Sequence, residues 1–187
     1  LHITAGEPAE KALGEALHKA GATVVAVAPT ELGETVRAHR PYGVLHTVGL
    51  AEAAGDTSAT LLSHPLGLLD VTHTLVAEEV GLERILVVTR GVHGPGSTVT
   101  SIASGTLWGF GRTLAIEHPE LHVTMLDLGD ASAEAAADAT VRLASTSPSG
   151  SEWMATEAGP VRGRMRRAAM ADGNRWRRIP RMRLVTD

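Results

Sequence analysis

The chain contains no cysteine, and only one tyrosine and one phenylalanine, in 187 residues. The first absence removes disulfides, thiolate nucleophiles and Cys-ligated zinc together. The second leaves Tyr42 as the sole phenol that could pass a proton to a substrate. Long apolar runs are missing as well. None approaches the ~18 residues that a membrane span needs, and the N-terminus has no basic-then-apolar leader pattern. No membrane partner is expected, and a cytoplasmic location is the simplest reading. What remains is globular in composition, 43% hydrophobic and 20% charged, with a length that suits a single domain over residues 1–187.

Positive charge is scarce in the body and concentrated at the end. Up to Pro160 there are 8 Lys and Arg against 19 Asp and Glu, whereas the last 27 residues hold 9 against 2. An Arg-rich end can bind nucleic acid. Here the arginines alternate with Val161, Met165, Trp176, Ile179, Met182 and Leu184, and an acidic body offers its own tail a partner. Docking on protein is therefore the stronger reading, and no nucleic acid is expected.

Along the chain, apolar periodicity alternates between strand and helix. Leu1 to Thr4 is a short apolar run. Ala9, Leu13, Ala16, Leu17 and Ala20 repeat at helical spacing from Pro8, and Gly21 closes that helix. Ala22 to Ala28 is a continuous run with the look of a strand buried on both faces. A short helix opens at Pro29-Thr30, and Tyr42 to Val48 is a third strand. After a polar stretch from Gly49 to Ser58, a long helix runs from Ala59 to about Val80, with Pro65 implying a kink or a late start. Arg84 to Thr89 and Val123 to Leu128 are strands. Ser104 to His118 and Ser132 to Ser145 are helices, the former ended by Pro119. A turn spans Ser147 to Ser151, and Trp153 to Thr156 and Val161 to Met165 flank a second turn as a hairpin-like pair. Strands rich in Val, Ile and Leu alternating with helices predict a doubly wound α/β fold, its sheet mostly parallel and covered by helices on both faces.

Such folds bind dinucleotides where glycines after the first strand let the backbone approach the pyrophosphate. The chain instead reads Thr4-Ala5-Gly6-Glu7-Pro8-Ala9-Glu10. Glu7 and Glu10 place negative charge where phosphates would sit, and Pro8 removes an N–H donor. The nine histidines, His2, His18, His39, His46, His64, His73, His93, His118 and His122, show no HxxH or HExxH spacing, and the closest pair, His118 and His122, straddles Pro119. Scattered surface or capping roles are expected rather than a metal site. The Gly-rich loop Gly91 to Ser97 follows a late strand and is a poor phosphate cradle, and no Gly-x-Ser-x-Gly elbow is present.

The segment LWGFGRTLAIEHPELHVTMLDL, Leu107 to Leu128, resembles the structural subdomain of ketoreductases from modular type I polyketide synthases. LERILVVTRG upstream, the Trp153 to Arg167 hairpin and the Pro180 to Leu184 exit are similar to that family too. The resemblance implies a Rossmann-like, truncated short-chain-dehydrogenase fold with no site of its own, catalytic, cofactor or metal. A second, catalytic half would hold NADPH and reduce β-ketoacyl groups carried on the phosphopantetheine of a carrier protein, and an enoylreductase can be inserted between the halves. Alignment to the catalytic half puts Trp108 in place of the proton-donating Tyr, Arg112 in place of its Asn or Lys partner, and Thr89 near the Ser. An indole N–H cannot replace a phenol as acid. Trp108, Arg112, Glu117, Trp153, Trp176 and Arg181 are accordingly structural or interface candidates, and residues 168–187 a connector toward the partner half. A stand-alone reductase and an Arg-rich nucleic-acid-binding module are the competing readings.

Overall fold

A computed structural model of the chain describes residues 1–50, 58–93, 101–146 and 151–163. Seven strands form one sheet: β1 (His2–Ile3), β2 (Ala26–Val27), β3 (Gly43–His46), β4 (Arg84–Thr89), β5 (Val123–Asp127), β6 (Glu152–Met154) and β7 (Val161–Arg162). Their order is β2-β1-β3-β4-β5-β6-β7. All neighbours are parallel except β6 and β7, the hairpin-like pair, which are antiparallel. The helices are α1 (Pro8–Lys19), α2 (Leu32–His39), α3 (Ser58–Ala77), α4 (Ile102–Glu117) and α5 (Ala133–Ser145).

Side chains alternate across a strand, and the two faces of the sheet accordingly build two cores. Ile85, Val87, Val123 and Met125 join Val36 of α2, Leu68 and Leu75 of α3, and Leu107 and Leu114 of α4. Leu86, Val88 and Leu126 face the other way, onto Leu13 of α1 and Ala136, Ala139 and Leu143 of α5. β4 is buried along its whole length, as a central parallel strand covered on both sides must be. α4 can lie close on β5 because Gly111 has no side chain; a Cβ there would sit 2.2 Å from the Met125 sulfur.

The helix placement has a topological consequence. The connection from β3 through α3 to β4 and that from β5 through α5 to β6 move in the same direction across the sheet, but α3 and α5 lie on opposite faces. The two crossovers therefore have opposite hands. Since parallel crossovers are right-handed almost without exception, and those through α3 and α4 share one face, α5 is the left-handed one.

Two sequence expectations need correction. The run Ala22 to Ala28 supplies only the two-residue β2, at the sheet edge, and Ala22, Thr23, Ala26 and Ala28 are exposed. A β-branched run reads alike in an edge and a central strand; here its only ladder partner among the described residues, β1, is itself two residues long. α3 does not start late either, because it runs through Pro65. No helix among the described residues is long and apolar enough to cross a membrane.

Candidate functional site

The carboxyl ends of β1 and β3 form the crevice where open α/β sheets take ligands. From β1 the chain leaves over one face through α1, and from β3 over the other through α3, so the two connections diverge between neighbouring strands. Here the β1–α1 turn folds onto its own glutamate. Oε2 of Glu10 accepts from the Thr4 hydroxyl at 2.6 Å, the Gly6 N–H at 2.8 Å and the Glu7 N–H at 3.0 Å. Gly6 N also lies 2.9 Å from the Thr4 hydroxyl oxygen. Glu10 is fully buried, and its Oε1 has no hydrogen-bond partner among the described residues. Of the two carboxylates expected at this helix start, only Glu10 turns inward; Glu7 is exposed. Backbone N–H groups that would have to meet a pyrophosphate thus already have an anionic acceptor. The residues present do not fit a dinucleotide.

Histidines line the same region, which corrects the expectation of scattered surface roles. His2, His46 and His64 are buried, and His2 Nε2 lies 2.9 Å from the Thr47 hydroxyl. Burial, reinforced by the neighbouring His64 and His2, pushes the His46 imidazole down to about 4. His2 is also lowered by burial, against the opposing pull of Glu10. Among the described residues no group of His, Asp and Glu could hold a metal ion.

A second cluster sits at the carboxyl ends of β4, β5 and β6, where a dehydrogenase would keep its proton donor. Its centre is Asp127, the last residue of β5 and fully buried. Asp127 Oδ1 accepts from the Thr89 hydroxyl at 2.9 Å and the Val92 N–H at 3.3 Å, and Oδ2 from the His93 N–H at 2.8 Å. The carboxylate pins the start of the β4–α4 loop, and Thr89 spends its hydroxyl on that bond. Trp108 is buried, and its ring meets His93 edge-on with centroids 4.7 Å apart. Its indole N–H lies near Glu152 without reaching hydrogen-bond geometry. One turn along α4, Arg112 grips the same carboxylate in a fork, Nε to Oε1 at 2.6 Å and a terminal nitrogen to Oε2 at 2.8 Å. That bond holds the Glu152 carboxyl below, and the Arg112 guanidinium above, their ordinary values. Burial lowers His93, with Asp127 pulling the other way.

Glu117, the last residue of α4, is exposed. Trp153 is half-buried against the α1–α5 core. Trp176, Arg181 and the connector 168–187 lie outside the described residues, as do residues 147–150 and the Gly91 loop beyond His93. No motif or spacing in the sequence singles out Asp127 or Arg84. Both are charged residues in apolar strands, and that mismatch was the available signal. Arg84 is buried and donates to the carbonyls of Leu143 and Thr146, capping the C-terminal end of α5.

Residues 3–162 match the family described as polyketide synthase extender module SpnB, Rossmann fold domain. Among solved structures, a C2-type ketoreductase from a modular polyketide synthase superposes with a TM-score of 0.69 at 27% identity, over 89% of this chain and 39% of that one. Structures of A-type ketoreductases from a modular polyketide synthase and of an A1-type ketoreductase each give 0.67 at 22% identity, over 85% of this chain and 36% of theirs. The latter two speak for the fold alone. The chain spans less than two-fifths of the length of these ketoreductases.

Proposed function

The chain belongs to the Rossmann-fold domain family of polyketide synthase extender modules, and we propose that it is a non-catalytic platform for an NADPH-dependent ketoreductase half. The observation that carries this reading is the Glu10 carboxylate in the β1–α1 turn, taking the N–H groups of Gly6 and Glu7. The α4 region supports it. Trp108 is buried where a phenol would be needed, Arg112 is engaged by Glu152, and Thr89 is engaged by Asp127. None of the three offers an acid to a bound ketone.

A platform needs a face for its partner. Leu62 and Leu66, one turn apart on α3, and Ile102 and Ile116 of α4 are large apolar side chains left in solvent. We assign to this helical face the catalytic half, which would hold NADPH and act on β-ketoacyl groups on a carrier protein's phosphopantetheine. An inserted enoylreductase would extend the same contact.

Calorimetric titration of the chain with NADPH tests the reading. It predicts no saturable heat, and binding at micromolar concentration overturns it. Reconstitution supplies the positive arm: a catalytic half made alone is to lose activity and regain it when this chain is co-expressed. Equal activity with and without the chain removes the platform role.

A further inference from the structure

We propose that the carboxyl end of β1 is a phosphate-class anion site kept filled by the chain's own carboxylate, Glu10. The inference deepens the non-catalytic reading, on which it rests: a dinucleotide is excluded by an occupant as well as by an unsuitable turn.

The position is the crevice between β1 and β3, the place in this topology where strand ends and a helix N-terminus converge on a ligand. The donor set is that of an oxyanion cradle. One carboxylate oxygen collects a hydroxyl and two successive backbone N–H groups, as one phosphate oxygen would. Glu10 is at the third position of α1, where a capping glutamate reaches back to the N–H that precedes the helix. A capping glutamate at a surface would keep its second oxygen in water. This one is fully buried, its Oε1 has no partner among the described residues, and its place in the turn rests on the three donors to Oε2. The turn also has room. Gly6 adopts φ +92°, and a Cβ built on it would meet nothing within 4 Å. Pro8 contributes no N–H, so the cradle's backbone donors are those of Gly6 and Glu7.

Removing the occupant should convert the turn into a weak anion site. In Glu10→Ala, the Thr4 hydroxyl and the Gly6 and Glu7 N–H groups lose their acceptor. Thermal unfolding of the wild-type and Glu10→Ala chains is followed with inorganic pyrophosphate and with sodium chloride at matched ionic strength. The variant's Tm is expected to fall by roughly 4–10 °C. Pyrophosphate at ~20 mM is expected to restore at least about half of that loss, while the wild type moves by less than about 1 °C. A variant that gains no more from pyrophosphate than the wild type does overturns the proposal. Hydrogen exchange on the wild-type chain tests it even where the variant does not fold. The Gly6 and Glu7 amides are expected to exchange at least ~100-fold more slowly than in a free peptide, and free-peptide rates overturn the closed cradle. The two readings fail separately. NADPH binding by the wild type removes the platform reading, whereas an unrescued Glu10→Ala beside a wild type blind to NADPH removes only this one.

Discussion

The hydroxyl of Thr106, on α4, stands 3.0 Å from the carbonyl oxygen of Leu61, on α3. That carbonyl is the one whose helical donor would be residue 65, and residue 65 is proline. The neighbouring helix thus supplies the hydrogen bond that α3 cannot make for itself, and α3 continues through Pro65. The same hydroxyl lies 2.7 Å from the Ala103 carbonyl, so its one proton is shared. Thr106→Val should cost about 1 kcal/mol. In a Pro65→Ala background, where the backbone provides the missing donor, the cost should shrink, and a double-mutant cycle should show coupling of at least ~0.5 kcal/mol. Additive costs would mean that the Thr106 bond does not serve the proline.

Trp108 presents a different kind of dependence, on volume. It is 3% exposed, with His93 set edge-on against it. Trp108→Ala should cost about 3–5 kcal/mol in urea unfolding, the range for a large buried aromatic. An unchanged midpoint would contradict its place in the core.

The Arg112–Glu152 fork should matter much less. The Arg112 side chain is 53% exposed and that of Glu152 29%, so solvent screens the pair and a double-mutant cycle should return no more than ~1 kcal/mol. Its pH dependence has a definite sign. The folded Glu152 carboxyl is lowered, so the pair's contribution is present above the unfolded-state value and is lost as pH falls through the folded one. Arg112→Ala should therefore flatten the acid limb of the stability curve, and added salt should do the same in part. Arg112→Lys keeps the charge without the planar fork and should recover only part of the coupling.

Asp127 ties three donors at once, and an asparagine cannot accept them all. In Asp127→Asn, one side-chain oxygen becomes an NH2 group facing either the His93 N–H or the Thr89 and Val92 donors. A loss of about 2–4 kcal/mol is expected from the unsatisfied buried groups, with faster amide exchange at Val92 and His93. Unaltered exchange at both residues would show that the loop is held by something else.

Element types were legible because helical and strand periodicities are written locally. RILVVT reads as a strand in isolation, and it is one. What periodicity does not carry is the face on which a helix lands, so the opposite hand of the α5 crossover is invisible in SAEAAADATVRLAS. Burial of a charged side chain is hidden for the same reason. Glu10 and Glu7 are alike as letters, and only the crevice between β1 and β3 decides which turns inward. Spacing along the chain could not couple His46 to His64 either, because their electrostatic interaction joins a strand to a helix 18 positions later.

His46 provides the sharpest pH prediction. It ends β3 in full burial, with His64 of α3 and His2 of β1 as its titratable neighbours. Its folded value of about 4 stands below the 6.5 of an ordinary imidazole. Above pH 6.5 the imidazole is neutral in both states and adds no slope. Between 6.5 and 4 the unfolded chain binds a proton that the folded chain refuses, so stability falls as pH falls. Below 4 both states are protonated and the slope disappears. Integrated over that window the loss is up to about 3 kcal/mol. His2 and His93 are lowered in the same direction and should steepen the wild-type curve. His46→Leu, which removes the titrating group at a similar volume, should reduce the slope between pH 4 and 6.5 by as much as one proton. The His46 ring-proton resonance in the wild type should hold its neutral shift down to about pH 5. A midpoint near 6.5 would show that the ring is solvated, and the predicted slope would vanish with it.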